Sequence, residues 1–331
     1  MLPTAEDVQP CYIGMDEVAH FEEMIGFFCK LVSQTGSHMR KAAIGQVHAL
    51  GELIEETSTG PLKTRLLEVA AQMTQLAGCM SYDCRMYKVA QRYYLLGLRF
   101  CQEAGNHLIP SKLIGELSYI ATAMGNHQEF LELINFALYS LPIQQQGLVR
   151  AELLARRASA LALLGKSSDA RRAIEASLEM SAGTKNEPLP PVFDYLSLGE
   201  IHGLAATTYL DLARHAGRSD SISGYTAQAE KEIIAALEGR ERSLARSRAV
   251  DTIRLMNTRL LQNEPSEAVN LGNTVLELAR GVRSSRVADR LVQFQRELRD
   301  HHPRFPKNAE FHDRLRAHLV HSGEKEAPFV V

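Results

Sequence analysis

Residues Ser118 to Pro142 read SYIATAMGNHQEFLELINFALYSLP, and their spacing decides the fold. Gly125 ends one helical segment, and Asn126 and Glu129 then stand at capping-box spacing for the next. Phe130, Ile134 and Leu138 follow at i, i+4 and i+8, which places them on one stripe of a helix. Pro142 falls where that second helix must close, because proline cannot continue the hydrogen-bond ladder. The stretch is therefore the turn and second arm of an antiparallel helix hairpin.

Outward from it, the same stripe recurs. Ala90-Tyr94-Leu98, Ala170-Ile174-Leu178, Ala229-Ile233-Leu237 and Ala268-Gly272-Leu276 repeat the spacing, and the leucine positions step by 40, 40, 59 and 39 residues. Leu164-Gly165-Lys166-Ser167 repeats the turn forty residues on. The long step predicts irregular loops, at Gly183 to Pro191 and at Gly217 to Gly224, both rich in turn-forming residues. Ser118 and Ala137 occupy positions where a tetratricopeptide hairpin needs small side chains. A plain helical bundle shows similar stripes, but it has no reason to repeat every forty residues. Runs of alternating β-branched residues are lacking. The expected fold is all-α, a tetratricopeptide-type α-solenoid of antiparallel helix hairpins. It comprises an N-terminal helical region at 1–60, regular repeats at 61–182, repeats with loop insertions at 183–280, and C-terminal capping helices with a flexible tail at 281–331.

Composition narrows the function. The 331 residues are 45% apolar, carry a net charge of −2 and contain no Trp. A near-neutral chain with few aromatics lacks both the electrostatic footprint of a nucleic-acid binder and the stacking platforms of a single-strand binder. Acidic residues occupy the start, where an export signal needs basic ones, and the apolar stretch near Ile25 to Val32 is too short to span a bilayer. These features predict a cytoplasmic protein without a membrane segment. The cysteines at 11, 29, 79, 84 and 101 are odd in number and read as reduced thiols.

Four segments carry a resemblance: LAGCMSYD from Leu76, AQRYYLLGL from Ala90, SRAVDTIRL from Ser247 and RSSRVADRLVQFQREL from Arg283. They resemble the tetratricopeptide region of actinobacterial helix-turn-helix transcriptional regulators, a group that includes negative regulators of sporulation and antibiotic production. The similarity extends from about Ile13 to about residue 315. Such regulators carry a DNA-binding domain ahead of the repeats, whereas here the similarity starts a dozen residues after Met1. The resemblance thus implies the sensing or docking half, either standing alone or as part of a longer regulator, without sequence-specific DNA binding by this chain alone. Cys79 stands where the family pattern commonly has Trp. Gly36-Ser37-His38-Met39 has the wording of an expression-vector remnant, yet lies in a run that continues the family pattern and reads as native.

Nucleophile elbows, Walker loops, dinucleotide turns and paired-carboxylate signatures are missing, so no catalytic residue, cofactor or metal is predicted. Cys79 and Cys84 point to different helical faces, and the histidines from His301 to His321 lie in a segment broken by Pro303 and Pro306. Tetratricopeptide arrays line their groove with the first helix of each hairpin. That geometry nominates Gln75, Tyr82, Asp83, Lys112, Tyr119, Arg156, Asp194 and Glu200, with Cys79 beside them. Residues 240–316 carry sixteen Lys or Arg against ten Asp or Glu, which marks Arg286 and Arg290 as a partner-facing surface. The expected function is a regulatory binding module, a sensor or adaptor for a protein, a peptide or a small signalling molecule, acting through a partner or a homodimer. The alternative is an enzyme or accessory protein of a specialised biosynthetic pathway built on the same fold. A large enclosed pocket favours a small ligand or an enzyme, and an open groove favours a peptide.

Overall fold

A computed structural model describes residues 13–142, 147–184 and 188–321. Cys11, the acidic N-terminal stretch, part of the predicted loop after Gly183 and the tail beyond His321 lie outside the described residues. Within them the chain forms fourteen α-helices and no strand beyond a single isolated bridge. Two helices lead, α1 (Met15–Thr35) and α2 (Arg40–Glu56). Hairpins follow in order: α3 (Pro61–Asp83) with α4 (Tyr87–Ala104), α5 (Ile109–Ala123) with α6 (His127–Ser140), and α7 (Leu148–Leu163) with α8 (Ser167–Ala182). Then come α9 (Leu198–Arg214) with α10 (Ser219–Glu238), α11 (Ala245–Leu261) with α12 (Pro265–Leu278), and α13 (Ser285–His301) with α14 (Asn308–His321). Adjacent helices pack in pairs, and α7 also packs on α9.

The five stripes read from the sequence fall on α4, α6, α8, α10 and α12. Each buries Ala or Phe and then Tyr, Ile or Gly against its hairpin partner. Their hairpin turns share one conformation in four of five cases: Arg85, Gly125, Gly165 and Asn263 are left-handed, with φ of 60°, 75°, 73° and 64°. In each, the next residue's amide reaches back five positions, Met86 to Ser81, Asn126 to Ala121, Lys166 to Leu161 and Glu264 to Arg259, all at 2.9 Å. This is the Schellman closure that satisfies orphan carbonyls at a helix end. Asn126 Oδ1 then caps α6 by accepting the Glu129 amide at 3.2 Å.

Small residues set how closely each pair approaches. Gly78 and Gly97, Ser118 and Ala137, and Ala158 and Ser177 are buried at forty-residue intervals. A Cβ on Gly78 would lie 2.4 Å from the Tyr94 ring, so the α3/α4 crossing admits no side chain there. The longest interval is filled by the loop before α9 and by α10, which is twenty residues long. The predicted Gly217–Gly224 loop is largely helix, since α10 starts at Ser219 and α9 and α10 are joined by residues 215–218 alone. The first helices, α3, α5 and α7, are buried over most of their surface, whereas their partners bury one stripe. Between two hairpins, a helix needs apolar or small residues on several faces.

The chain also meets itself. Helix α1 packs on α3, on α11 and on the short 3₁₀ turn Pro191–Phe193. Just after α1, Gly36 bridges Arg283: the Arg283 amide donates to the Thr35 carbonyl at 2.8 Å, and the Ser37 amide donates to the Arg283 carbonyl at 3.1 Å. The segment with the wording of a vector remnant is therefore part of a long-range junction. Among the described residues, no helix is long and apolar enough to cross a membrane.

Candidate functional site

Because α1 closes against α11, the first helices of the hairpins surround an internal cavity of about 410 Å³. Helices α3, α5, α7, α9, α11 and α13 each contribute to its wall, and α1 adds Cys29, Val32 and Ser33. The segments 76–83, 247–255 and 283–298 supply Leu76, Cys79 and Tyr82, then Ser247, Val250 and Arg254, then Arg286, Asp289 and Arg290 to the wall.

The centre of the wall is a polar network spanning α5, α7 and the loop before α9. Lys112 pairs with Glu116 one turn on, at 2.7 Å, and Arg156 pairs with Glu152 one turn back. The two pairs stand forty residues apart with their signs exchanged, and across them Arg156 lies 3.6 Å from Glu116. Tyr195 joins them: its hydroxyl accepts from Lys112 Nζ at 2.6 Å and donates to the Glu152 carboxylate at 2.7 Å. Arg156 donates to the Gly115 carbonyl at 2.6 Å and lies over the Tyr119 ring at 4.2 Å. Burial pushes the Glu116 carboxyl up, but Lys112 and Arg156 outweigh it and hold the group at about 2. The ions are retained because each is paired and hydrogen-bonded.

A second network lies toward α11. Arg240 bridges Glu200, at 2.7 Å, and Asp251, and Asp251 also accepts from Arg254. Arg254 Nε donates to Thr207 Oγ1 at 2.8 Å. Burial raises the Glu200 carboxyl, yet Arg240 and Arg254 bring it below its usual range. A third cluster holds the junction. Asp83 accepts from Arg246 at 3.0 Å, Ser284 at 2.8 Å and Ser37 at 3.2 Å, joining the end of α3 to α11, to the segment before α13 and to the segment after α1.

Tyr82 and Tyr119 stack with centroids 6.3 Å apart, and the Tyr82 hydroxyl donates to the Tyr119 carbonyl at 3.3 Å. Arg286 lies over both rings, at 5.1 Å and 5.8 Å. Arg290, one turn further along α13, also lines the cavity. Burial together with Arg286 and Arg254 pulls its pKa down to about 9, a value that still leaves it charged at neutral pH.

Of the residues nominated from sequence, Gln75, Tyr82, Lys112, Tyr119, Arg156 and Glu200 line this one cavity, as does Cys79. Asp83 lies at its edge, committed to the junction. Asp194 does not line it: the side chain is exposed in the turn after Pro191–Phe193, and its neighbour Tyr195 occupies the wall instead. Arg286 and Arg290, expected on a separate partner-facing surface, face the same cavity as Tyr82. Much of the excess positive charge of residues 240–316 likewise points inward, through Arg240, Arg246 and Arg254. Sequence reasoning missed Glu116, Glu152 and Tyr195. The first two carried a signal, since opposite charges at i, i+4 in both Lys112/Glu116 and Glu152/Arg156 mark one helical face. Tyr195 sits in a loop and gave none. Comparison with protein-family models and with curated proteins finds no match to this chain.

Proposed function

We propose that this chain is a regulatory sensor, a tetratricopeptide-type superhelix that admits a small molecule to its internal cavity and passes the bound state to a partner chain. The observation that carries this reading is the cavity itself. Its volume lies within the range of small-molecule pockets, and charged and aromatic side chains from eight helices converge on it. The forty-residue recurrence of small buried pairs and of left-handed turns supports the repeat architecture. The inward direction of Arg240, Arg246, Arg254, Arg286 and Arg290 favours a small ligand over a DNA backbone, which would need those charges on an outer face.

A ligand touching α3, α5 and α13 together would bias how the hairpins stack. The resulting shift equals its differential affinity for the two arrangements, typically about 1–3 kcal/mol. A protein partner or a second copy of the chain would then read the altered outer surface. Native mass spectrometry of protein purified from its source organism tests the reading, with a retained small molecule expected. It is overturned if the purified chain is empty and Cys79→Trp, which fills part of the cavity, leaves the cellular phenotype unchanged.

A further inference from the structure

We propose that the ligand is a small organic acid whose carboxylate or phosphate is held by Arg286 and Arg290. This rests on the cavity being a small-molecule site, and it adds the chemical class. Each of the other arginines that line the cavity has a carboxylate partner: Arg156 has Glu152, Arg240 has Glu200 and Asp251, Arg246 has Asp83, and Arg254 has Asp251. The two remaining acidic residues of the wall are also engaged, Asp289 by Arg85 and Asp211 by Arg214 at 3.5 Å. Arg286 and Arg290 form no salt bridge and no hydrogen bond among the described residues. Both point into the cavity from successive turns of α13.

Two like charges at i, i+4 repel one another, and partial burial strips away the water that would otherwise screen them. The Arg286 guanidinium rests on the Tyr82 and Tyr119 rings, but that stacking leaves its N–H edges without a carboxylate, and among the described residues Arg290 has neither a ring nor a carboxylate partner. Their planar forks match a carboxylate or phosphate bidentately, and the positive potential from Arg246 and Arg254 adds to the attraction. Burial first, and then Arg286 and Arg254, hold the Arg290 pKa down, whereas Tyr82 and Asp83 outweigh burial and hold that of Arg286 up, so Arg290 is the less compensated of the two. The rest of the wall calls for more than an inorganic ion. Leu76, Cys79, Val192, Leu204 and Val250 present apolar surface that an organic body would cover.

The test uses two dyes with the same aromatic body, anionic anilinonaphthalene sulfonate and neutral N-phenylnaphthylamine, titrated into the full chain. The anion is expected to bind with single-site stoichiometry, and Arg286→Gln or Arg290→Gln should each weaken it about tenfold or more, as loss of a charge-assisted hydrogen bond does. The neutral dye should be unaffected by either change, and Cys79→Trp should weaken both dyes. Displacement by octanoate, octyl phosphate and octanol then separates the acid groups: one or both acids should compete, with octanol at least tenfold weaker. Arg290→Lys keeps the charge without the fork and should fall between wild type and Arg290→Gln. If both dyes bind in a manner sensitive to Cys79→Trp, but octanol competes equally and the arginine changes shift affinity less than twofold, the anion assignment is wrong and the cavity reading stands. If neither dye binds, both are wrong.

Discussion

The guanidinium of Arg286 lies 5.1 Å from the centre of the Tyr82 ring, so a cation from α13 covers an aromatic face presented by α3. The contact closes the cavity between an early and a late hairpin, and it leaves the N–H edges of the guanidinium free of carboxylates. Arg290 lacks even the aromatic partner. The site therefore holds positive charge that the folded protein alone does not neutralise, a cost expected of a binding surface rather than of a structural core.

Removing that charge should stabilise the empty protein. Arg290→Met keeps the apolar stem, deletes an unpaired and partly desolvated cation, and is expected to raise unfolding free energy by about 1–3 kcal/mol. Chemical denaturation of ligand-free wild type and variant is the check. A loss of stability would mean that Arg290 has a structural partner.

Gly36 should tolerate no side chain. Its φ is 81°, and a Cβ there would lie 2.1 Å from the Arg283 carbonyl oxygen. Left-handed strain and the clash together predict that Gly36→Ala costs about 2–4 kcal/mol. Gly105→Ala offers a contrast, because it shares a positive φ but meets no atom within 4 Å. Its thermal shift should be clearly smaller.

Asp83 carries the junction. Asp83→Ala would leave Arg246 without its carboxylate and remove the common acceptor of Ser37 and Ser284, a loss of about 3–5 kcal/mol for a broken buried pair. Amide exchange should then accelerate first around Ser37, Arg246 and Ser284, the segments that Asp83 joins to the end of α3, and only later in α5 to α8. Uniform acceleration would contradict this account.

Stability should also depend on pH through Asp211. Burial raises its carboxyl pKa from 3.8 to about 6, with Arg214, His215 and Arg290 offsetting only part of the shift. The folded chain therefore takes up this proton more readily than the unfolded chain. The associated stabilisation is fully present below about pH 4 and is lost as pH rises through about 6. Asp211→Asn should flatten that slope and gain about 2–3 kcal/mol relative to wild type above pH 7. Denaturation midpoints at pH 5 and pH 7.5 for both proteins decide the matter.

Helices, their buried stripes and their turns were legible in the sequence because each depends on residues within a few positions of one another. Phe130, Ile134 and Leu138 declare a face by spacing alone, and Gly125 declares a turn by its freedom at positive φ. Even the charge pairs Lys112/Glu116 and Glu152/Arg156 were there to be read. The Ser219–Gly224 stretch was misread because composition signals a loop, whereas packing of Thr226 and Ala229 against α9 carries the helix back through it.

What lay beyond local reading was the destination of each side chain. Nothing near Arg286 in the sequence says that Tyr82 will be under it, and nothing near Gly36 says that Arg283 will be beside it. Those meetings depend on which helices distant in sequence pack together, as α1 does on α3 and on α11. Local spacing determined that there would be a row of hairpins with polar side chains on their first helices. The packing of α1 on α11 decided that the nominated groove residues and the expected basic surface at Arg286 and Arg290 meet in one arginine-lined cavity.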